Sequence, residues 1–222
     1  MNIFDLSIIH FLNGILQKGS LGESFMDLIV DNDFLKGAIV VSILWYYWFK
    51  NTIKINYNRE RIIITLISCI VSIFVGRLLA KILPYRMRPL LNPELTSFFP
   101  NKSVIHGLEF ASSFPSDHAV LFFSLATGIF LISKKMGILS YLYVFFIICF
   151  PRIYLGLHYS TDILAGAIVG VVITLLLAKN RIWYPITQKI LNFSVRYSGI
   201  FYVLFFLISF LLTSSVTESN FS

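Results

Sequence analysis

The sequence predicts an all-α fold: a polytopic transmembrane helical bundle of about six spans, with an N-terminal interfacial helix. Three observations lead there. The mean hydropathy is +0.79 and only 13% of the 222 residues are charged, a composition suited to burial in lipid rather than in a soluble core. Several apolar runs approach or exceed the ~18 to 20 residues that cross a bilayer as helix, and the alternating ~10-residue segments of a β-barrel are not seen. Basic residues gather in alternate connections, as they do when those connections stay in the cytoplasm.

Taken in order, residues 1–17 carry Ile3, Leu6, Ile9, Phe11, Leu12, Ile15 and Leu16 at partly helical spacing. That pattern suits an amphipathic helix at the interface, and the stretch has neither the basic start nor the small-residue cleavage site of a cleaved signal peptide. The spans fall at 34–49, 61–83, 118–133, 136–156, 162–178 and 198–213; the first is short and carries Lys36. Lys50, Lys54, Arg59 and Arg61 precede the second span, Lys134 and Lys135 divide the third from the fourth, and Lys179, Arg181, Lys189 and Arg196 divide the fifth from the sixth. These connections share one side, so the net charge of +7 is mainly a topology signal. No basic soluble domain calls for nucleic acid as a partner, and no obligate protein partner is evident. Cys69 and Cys149 fall inside spans and read as packing residues. With no repeat or linker, residues 1–222 read as one domain, with its chemical motifs between 81 and 162.

Those motifs are KILPYRMRP at 81–89, FPSDHA at 114–119 and RIYLGLHYSTD at 152–162. All border spans on the extracytoplasmic side. Lys81 and Arg88 flank Pro84, which ends a helix, and Pro89 keeps Arg88 extended. Snorkelling to lipid headgroups is the plain reading of such cations, and Arg86 is taken as an anchor of that kind. Arg77, deeper in the span, is costly in lipid and is expected to pair inside the bundle. In the second motif Ser116 or Asp117 can cap a helix whose N-terminal N–H groups suit phosphate oxygens. In the third, Asp162 lies four residues after His158. It can accept a proton from one ring nitrogen and free the other as a nucleophile, or cap the following helix, or do both. The segment 89–115 is long for a loop and could roof the site.

In this order the motifs read K-x6-R-P, P-S-x-H and R-x5-H-x3-D, and the chain resembles the type 2 phosphatidic acid phosphatase superfamily of membrane lipid phosphatases. The resemblance implies His158 as the nucleophile forming a phosphohistidine, with Asp162 orienting and charge-balancing it. It implies His118 as general acid, and Lys81, Arg88, Ser116, Asp117 and Arg152 as the phosphate-binding positions. No metal and no cofactor is implied. Two positions depart from the family pattern: Pro151 replaces the serine before Arg152, and Asp117 replaces a glycine. The Ser-Asp-His version is similar to the bacterial branch acting on undecaprenyl pyrophosphate. The implied protein is therefore a bacterial cell-membrane phosphatase with an outward-facing site and a lipid phosphate or pyrophosphate as substrate. Phosphatidic acid, phosphatidylglycerol phosphate and a lipid A phosphate are alternative substrates. A lipid phosphotransferase and a non-hydrolytic lipid-phosphate binding or transport protein are alternative activities.

The charge asymmetry predicts a labelling pattern. Cysteines placed by Lys135→Cys or Lys189→Cys should be shielded from an impermeant thiol reagent in intact cells, whereas Asn101→Cys should react. Labelling in the opposite sense would put the motifs on the cytoplasmic side.

Overall fold

Proline and serine punctuation sets the helix boundaries in the computed structural model, which describes residues 3–15, 21–32, 34–50, 53–99 and 111–218. Among them every regular element is helical. Helices α1 (Ile3–Ile15) and α2 (Leu21–Asp31) lead into a π-helical turn, Phe34–Ala38, and α3 (Ile39–Phe49). The long α4 (Ile55–Ile82) stops two residues short of Pro84, with Leu83 extended at ψ 156° and its N–H on the Leu79 carbonyl at 2.9 Å. Helix α5 (Asp117–Ile132) begins where the Ser116 hydroxyl accepts the Ala119 N–H at 3.5 Å.

Ser133 is extended and breaks α5 from α6 (Lys134–Tyr143). A π-helical turn, Val144–Cys149, then joins α6 to α7 (Phe150–Tyr154). Its wider coil lies just ahead of Pro151, whose missing N–H and ring clash would break a regular α-helix. Helices α8 (Ser160–Lys179), α9 (Tyr184–Arg196) and α10 (Ser198–Glu218) complete the chain.

Helices α4, α5 and α8 form the centre and pack on one another. Gly166 and Gly170, one turn apart on α8, let its backbone touch that of α5, as small residues do in membrane helix pairs. A Cβ on Gly166 would sit 2.7 Å from the Ser116 carbonyl oxygen, and one on Gly170 would fall on that of Val120. Leu44 and Trp48 of α3 join Ile62 and Cys69 of α4 and Phe122 and Leu125 of α5 in the main core. Trp48 stacks on Phe201 of α10 at 5.2 Å, which fastens the last helix to the third. The outer faces of α4, α8 and α10 expose Phe74, Ile168, Leu176, Val203, Phe206 and Phe210, side chains suited to lipid.

Three helical stretches, Ile55–Ile82, Lys134–Tyr154 and Ser160–Lys179, are long and apolar enough to cross a membrane. They correspond to the expected second, fourth and fifth spans. The other three form shorter apolar helices, Leu35–Phe49, Asp117–Ile132 and Ser198–Leu212. Helix α5 is short because a polar motif starts it and the Ser133 turn stops it. Its fully buried Val120, Leu121 and Ala126 show that protein covers it.

Other differences from the sequence reading are local. The basic segment expected as a plain connection between the last two spans contains helix α9, opened by Pro185 at a position where its lost N–H costs nothing. Helix α1 exists, but Asp5 and Ile9 on one side of it are buried against the protein. In segment 89–115 the first part is packed: Leu90, Leu95 and Phe99 form a small core with Ile9, Leu157 and Tyr159. A roof formed by 101–110, with Asn101 and Lys102, lies outside the described residues.

Replacing Gly170 by leucine should lower the thermal midpoint of the purified protein in detergent, at a cost of roughly 1–3 kcal/mol from overpacking. An unchanged midpoint would mean that the α5–α8 contact is not this close.

Candidate active site

Three chain segments converge at the end of the bundle where α5 and α8 begin. After Pro84 the chain runs extended to Arg88, at φ −68° and ψ 150° before Pro89, as the sequence requires. The Ser113 N–H bonds the Arg86 carbonyl at 2.9 Å, which lays the residues before α5 alongside this segment. The third segment leaves α7 through Gly156, whose φ of +72° is the left-handed region that favours glycine. A Cβ there would also meet the Phe99 ring at 2.8 Å. The turn is closed by Leu157 N–H on Arg152 O and by Leu90 N–H on Gly156 O, both at 2.9 Å. Finally the Ser116 N–H donates to the Asp162 carbonyl at 3.2 Å, joining the second motif to the third.

This folding buries Arg88, Ser116, His118, Arg152, His158 and Asp162 together. The centre of the group is His158. Its Nδ1 lies 2.9 Å from the Ser113 carbonyl oxygen, and its Nε2 lies 3.4 Å from Nη1 of Arg88. A carbonyl can only accept, so the ring proton belongs on Nδ1 and the Nε2 lone pair points into the site. Asp162 was expected to take that proton. Its Oδ2 stands farther off, 3.8 Å from Nδ1, and accepts the Tyr159 N–H at 2.8 Å. It therefore caps α8 and reaches His158 across a turn, as a charge rather than as the hydrogen-bond partner.

Arg88 is 4% exposed. Its Nη1 donates to the Leu157 carbonyl at 2.9 Å, its Nε is buried without a hydrogen-bond partner, and among the described residues it forms no ion pair. Burial lowers its pKa, with Asp162 and then Asp117 opposing. His118 Nε2 is likewise buried without a partner. Arg152 is anchored by Nη1 on the Ile148 carbonyl at 2.6 Å. A buried guanidinium without an ion pair among the described residues, an unpartnered imidazole nitrogen and the N-terminal turns of two helices are groups suited to holding a multiply charged oxyanion.

Two expected members stand apart. Lys81 is exposed in the last turn of α4. Asp117 turns its carboxylate toward Arg77, 3.5 Å away, which gives Arg77 the partner it was expected to find. An anion in the pocket could meet only the Asp117 main chain without repulsion.

Arg86 was read as a lipid anchor, and the structure corrects this. Its Nη2 pairs with Asp5 at 2.7 Å, its Nη1 pairs with Asp162 and donates to the Thr161 hydroxyl at 2.8 Å, and its guanidinium lies 4.1 Å over the Tyr159 ring. A cation just past the end of a span suggested a side chain reaching for lipid headgroups, but Asp5, Asp162, Thr161 and Tyr159 surround this one within the protein. Asp5 was missed altogether. Its side chain is fully buried, and an acidic residue among the apolar positions of a first turn was the available signal.

The family model described as the PAP2 superfamily matches residues 61–186. The bacitracin transport permease protein BcrC of Bacillus licheniformis is 36% identical over 125 residues, 56% of this chain and 56% of that protein. The match thus spans little over half of that relative's length. The undecaprenyl-diphosphatase BcrC of Bacillus subtilis (strain 168) is 23% identical over 163 residues, covering 73% of this chain and 76% of that one. The lipid A 1-diphosphate synthase of Escherichia coli (strain K12) is 24% identical over 181 residues, 77% of this chain and 73% of that one. No solved structure matches.

Burial pulls the His158 pKa from 6.5 down to about 4, with Asp162 opposing and Arg88 adding to the fall. The folded ring is then neutral where the unfolded one is charged, so between these values the unfolded chain binds the extra proton. Stability should fall as pH drops through that window and level off below about 4. The His158 ring resonance in histidine-labelled protein should titrate near 4; a midpoint at or above 6.5 would contradict its burial.

Proposed function

Because this chain belongs to the PAP2 superfamily, we propose that it is a membrane lipid phosphatase working through a phosphohistidine on His158. The observation that carries the reading is the buried pair in which Nε2 of His158 faces Nη1 of Arg88 at 3.4 Å while Nδ1 is held by a carbonyl. A phosphoryl group placed there meets a nucleophile and a cation at once. Such transfer depends on positioning and on stabilising charge on the equatorial oxygens.

In the first step Nε2 forms a bond to the terminal phosphorus as the bond from that phosphorus to the bridging oxygen breaks, and the lipid leaves carrying that oxygen, as undecaprenyl phosphate when the substrate is the pyrophosphate. His118 gives its proton to the departing oxygen. In the second step water attacks the phosphohistidine, His118 takes a proton from that water, and inorganic phosphate leaves with His158 restored. Arg88, Arg152, the Ser116 hydroxyl and the main chain at Asp117 hold the phosphoryl oxygens. Lys81 joins them by swinging inward on its flexible stem. Asp162 balances the charge that develops on the imidazole. These fixed cations do the work that a metal does elsewhere, so no metal or cofactor takes part.

The substrate is undecaprenyl pyrophosphate, supported by the Ser-Asp-His motif and by the name of the Bacillus subtilis relative. The protein acts in a bacterial cell membrane, with the site on the extracytoplasmic face where the polar motifs gather. The similarity to a lipid A 1-diphosphate synthase favours a second reading, transfer of the phosphoryl group from His158 to a lipid acceptor instead of water.

One experiment tests nucleophile, metal and acceptor together. Purified protein in detergent with excess EDTA should release phosphate from undecaprenyl pyrophosphate labelled in its terminal phosphate. Quenched early, it should carry label on His158, and His158→Ala should carry none. Loss of turnover on chelation with recovery in Mg²⁺, or label on another residue, would overturn the mechanism. Added lipid alcohol or lipid phosphate that captures the label in preference to water would establish the transferase reading.

A further inference from the structure

The N-terminal helix lies outside the matched segment 61–186, yet it places a carboxylate against the heart of the site. Oδ1 of Asp5 accepts the Thr161 N–H at 3.0 Å, and Oδ2 accepts the Thr161 hydroxyl and Nη2 of Arg86, each at 2.7 Å. Thr161 is in the first turn of α8, where backbone N–H groups lack helical partners. Asp5 therefore caps, from 156 residues away, the helix that carries Asp162. Arg86 then bridges the two carboxylates, whose side chains are both fully buried, while its own side chain keeps 27% exposure.

Each oxygen of Asp162 has thereby one main holder, Arg86 for Oδ1 and the Tyr159 N–H for Oδ2. The charge that Asp162 presents to His158 depends on how fully Arg86 shares it, and Asp5 competes for the same guanidinium. We propose that Asp5 is a positioning residue for the reaction. It acts through Arg86 and Thr161 to set the orientation and the effective charge of Asp162, and through Asp162 the His158 imidazole. This rests on the phosphohistidine reading above.

The groups facing His158 are Arg88 from the extended segment, Arg152 from α7, His118 from α5 and Asp162 from α8. Asp5 and Arg86 stand behind Asp162, so their substitutions should act in opposite senses. With Asp5→Asn, Arg86 turns its undivided charge on Asp162, and the titration midpoint of His158 should fall. With Arg86→Gln, Asp162 is released from its cation, and the midpoint should rise. The double variant should lie close to Arg86→Gln, because the charge of Asp5 reaches the ring through Arg86 while its Thr161 contacts orient the helix turn; residues acting in one chain are not additive.

The test measures kcat and KM on undecaprenyl pyrophosphate and the His158 ring resonance against pH, for wild type, both single variants, the double variant and Asp5→Glu. Asp5→Asn should lower kcat roughly tenfold, the lower end for loss of a supporting partner, with KM within about twofold. Asp5→Glu should recover part of the loss. A stably folded Asp5→Asn protein with unchanged kcat and midpoint, or shifts that simply add in the double variant, would overturn the proposal. If Asp5→Asn does not fold, Thr161→Val removes the hydroxyl that Asp5 and Arg86 share while leaving their direct ion pair, and a smaller fall in kcat is expected at unchanged KM. An unchanged kcat in that variant together with an unmoved His158 midpoint in Arg86→Gln would overturn the proposal equally. Should wild type hydrolyse no lipid phosphate, the phosphatase reading fails, while the opposite movements of the His158 resonance still decide the positioning role.

Discussion

The contact between α5 and α8 is the constraint on which the site depends. Gly166 and Gly170 allow two backbones to lie against each other, so both helices begin at the same level. The Ser116 N–H and Asp162 carbonyl close that junction. Two N-terminal turns side by side present a cluster of N–H donors and two positive dipole ends. His118 follows in the first turn of α5 and Asp162 in the first turn of α8. A side chain at either glycine would part the helices and separate the second motif from the third.

Burying charge at this junction is costly, and the protein meets the cost in two ways. Arg86 is enclosed by two carboxylates, a hydroxyl and an aromatic face. Arg88, two residues on, is held by a carbonyl and the His158 ring and forms no ion pair among the described residues. The first cation is thus satisfied within the fold, and the second keeps its charge for an anion. Pro89 keeps this segment extended, and the difference between the two arginines lies in the groups that the neighbouring segments bring to each, Asp5 and Asp162 to Arg86 and the Leu157 carbonyl to Arg88.

Much of this was legible in the sequence because it follows from local rules. Pro84 ends α4, Ser116 caps α5, Arg88 is extended before a proline, and Arg77 finds a partner in Asp117. What was not legible depends on contacts distant in the chain. The Ser113 carbonyl holds His158 from 45 residues away, and a backbone oxygen leaves no mark in a residue pattern. The bond between Asp5 and Arg86 spans 81 residues, and only burial separates Arg86 from a lipid anchor. Helix α9 was hidden because its basic residues serve equally well as a topology signal. Lys81 fits the motif by spacing, yet it lies at the end of a helix where the side chain follows solvent.

The long reach of Asp5 also bears on how the chain is made. Its carboxylate is made before its partners, with Arg86 and Thr161 following 81 and 156 residues later. Until α8 has been made, Asp5 lacks two of the three donors that hold it, the Thr161 N–H and hydroxyl, and has only Arg86. The cap that α1 places on α8 therefore cannot be complete until residues 156 positions farther on have been made. A docked α1 is thus a mark that the third motif is in place, since two of the three donors that hold Asp5 belong to Thr161.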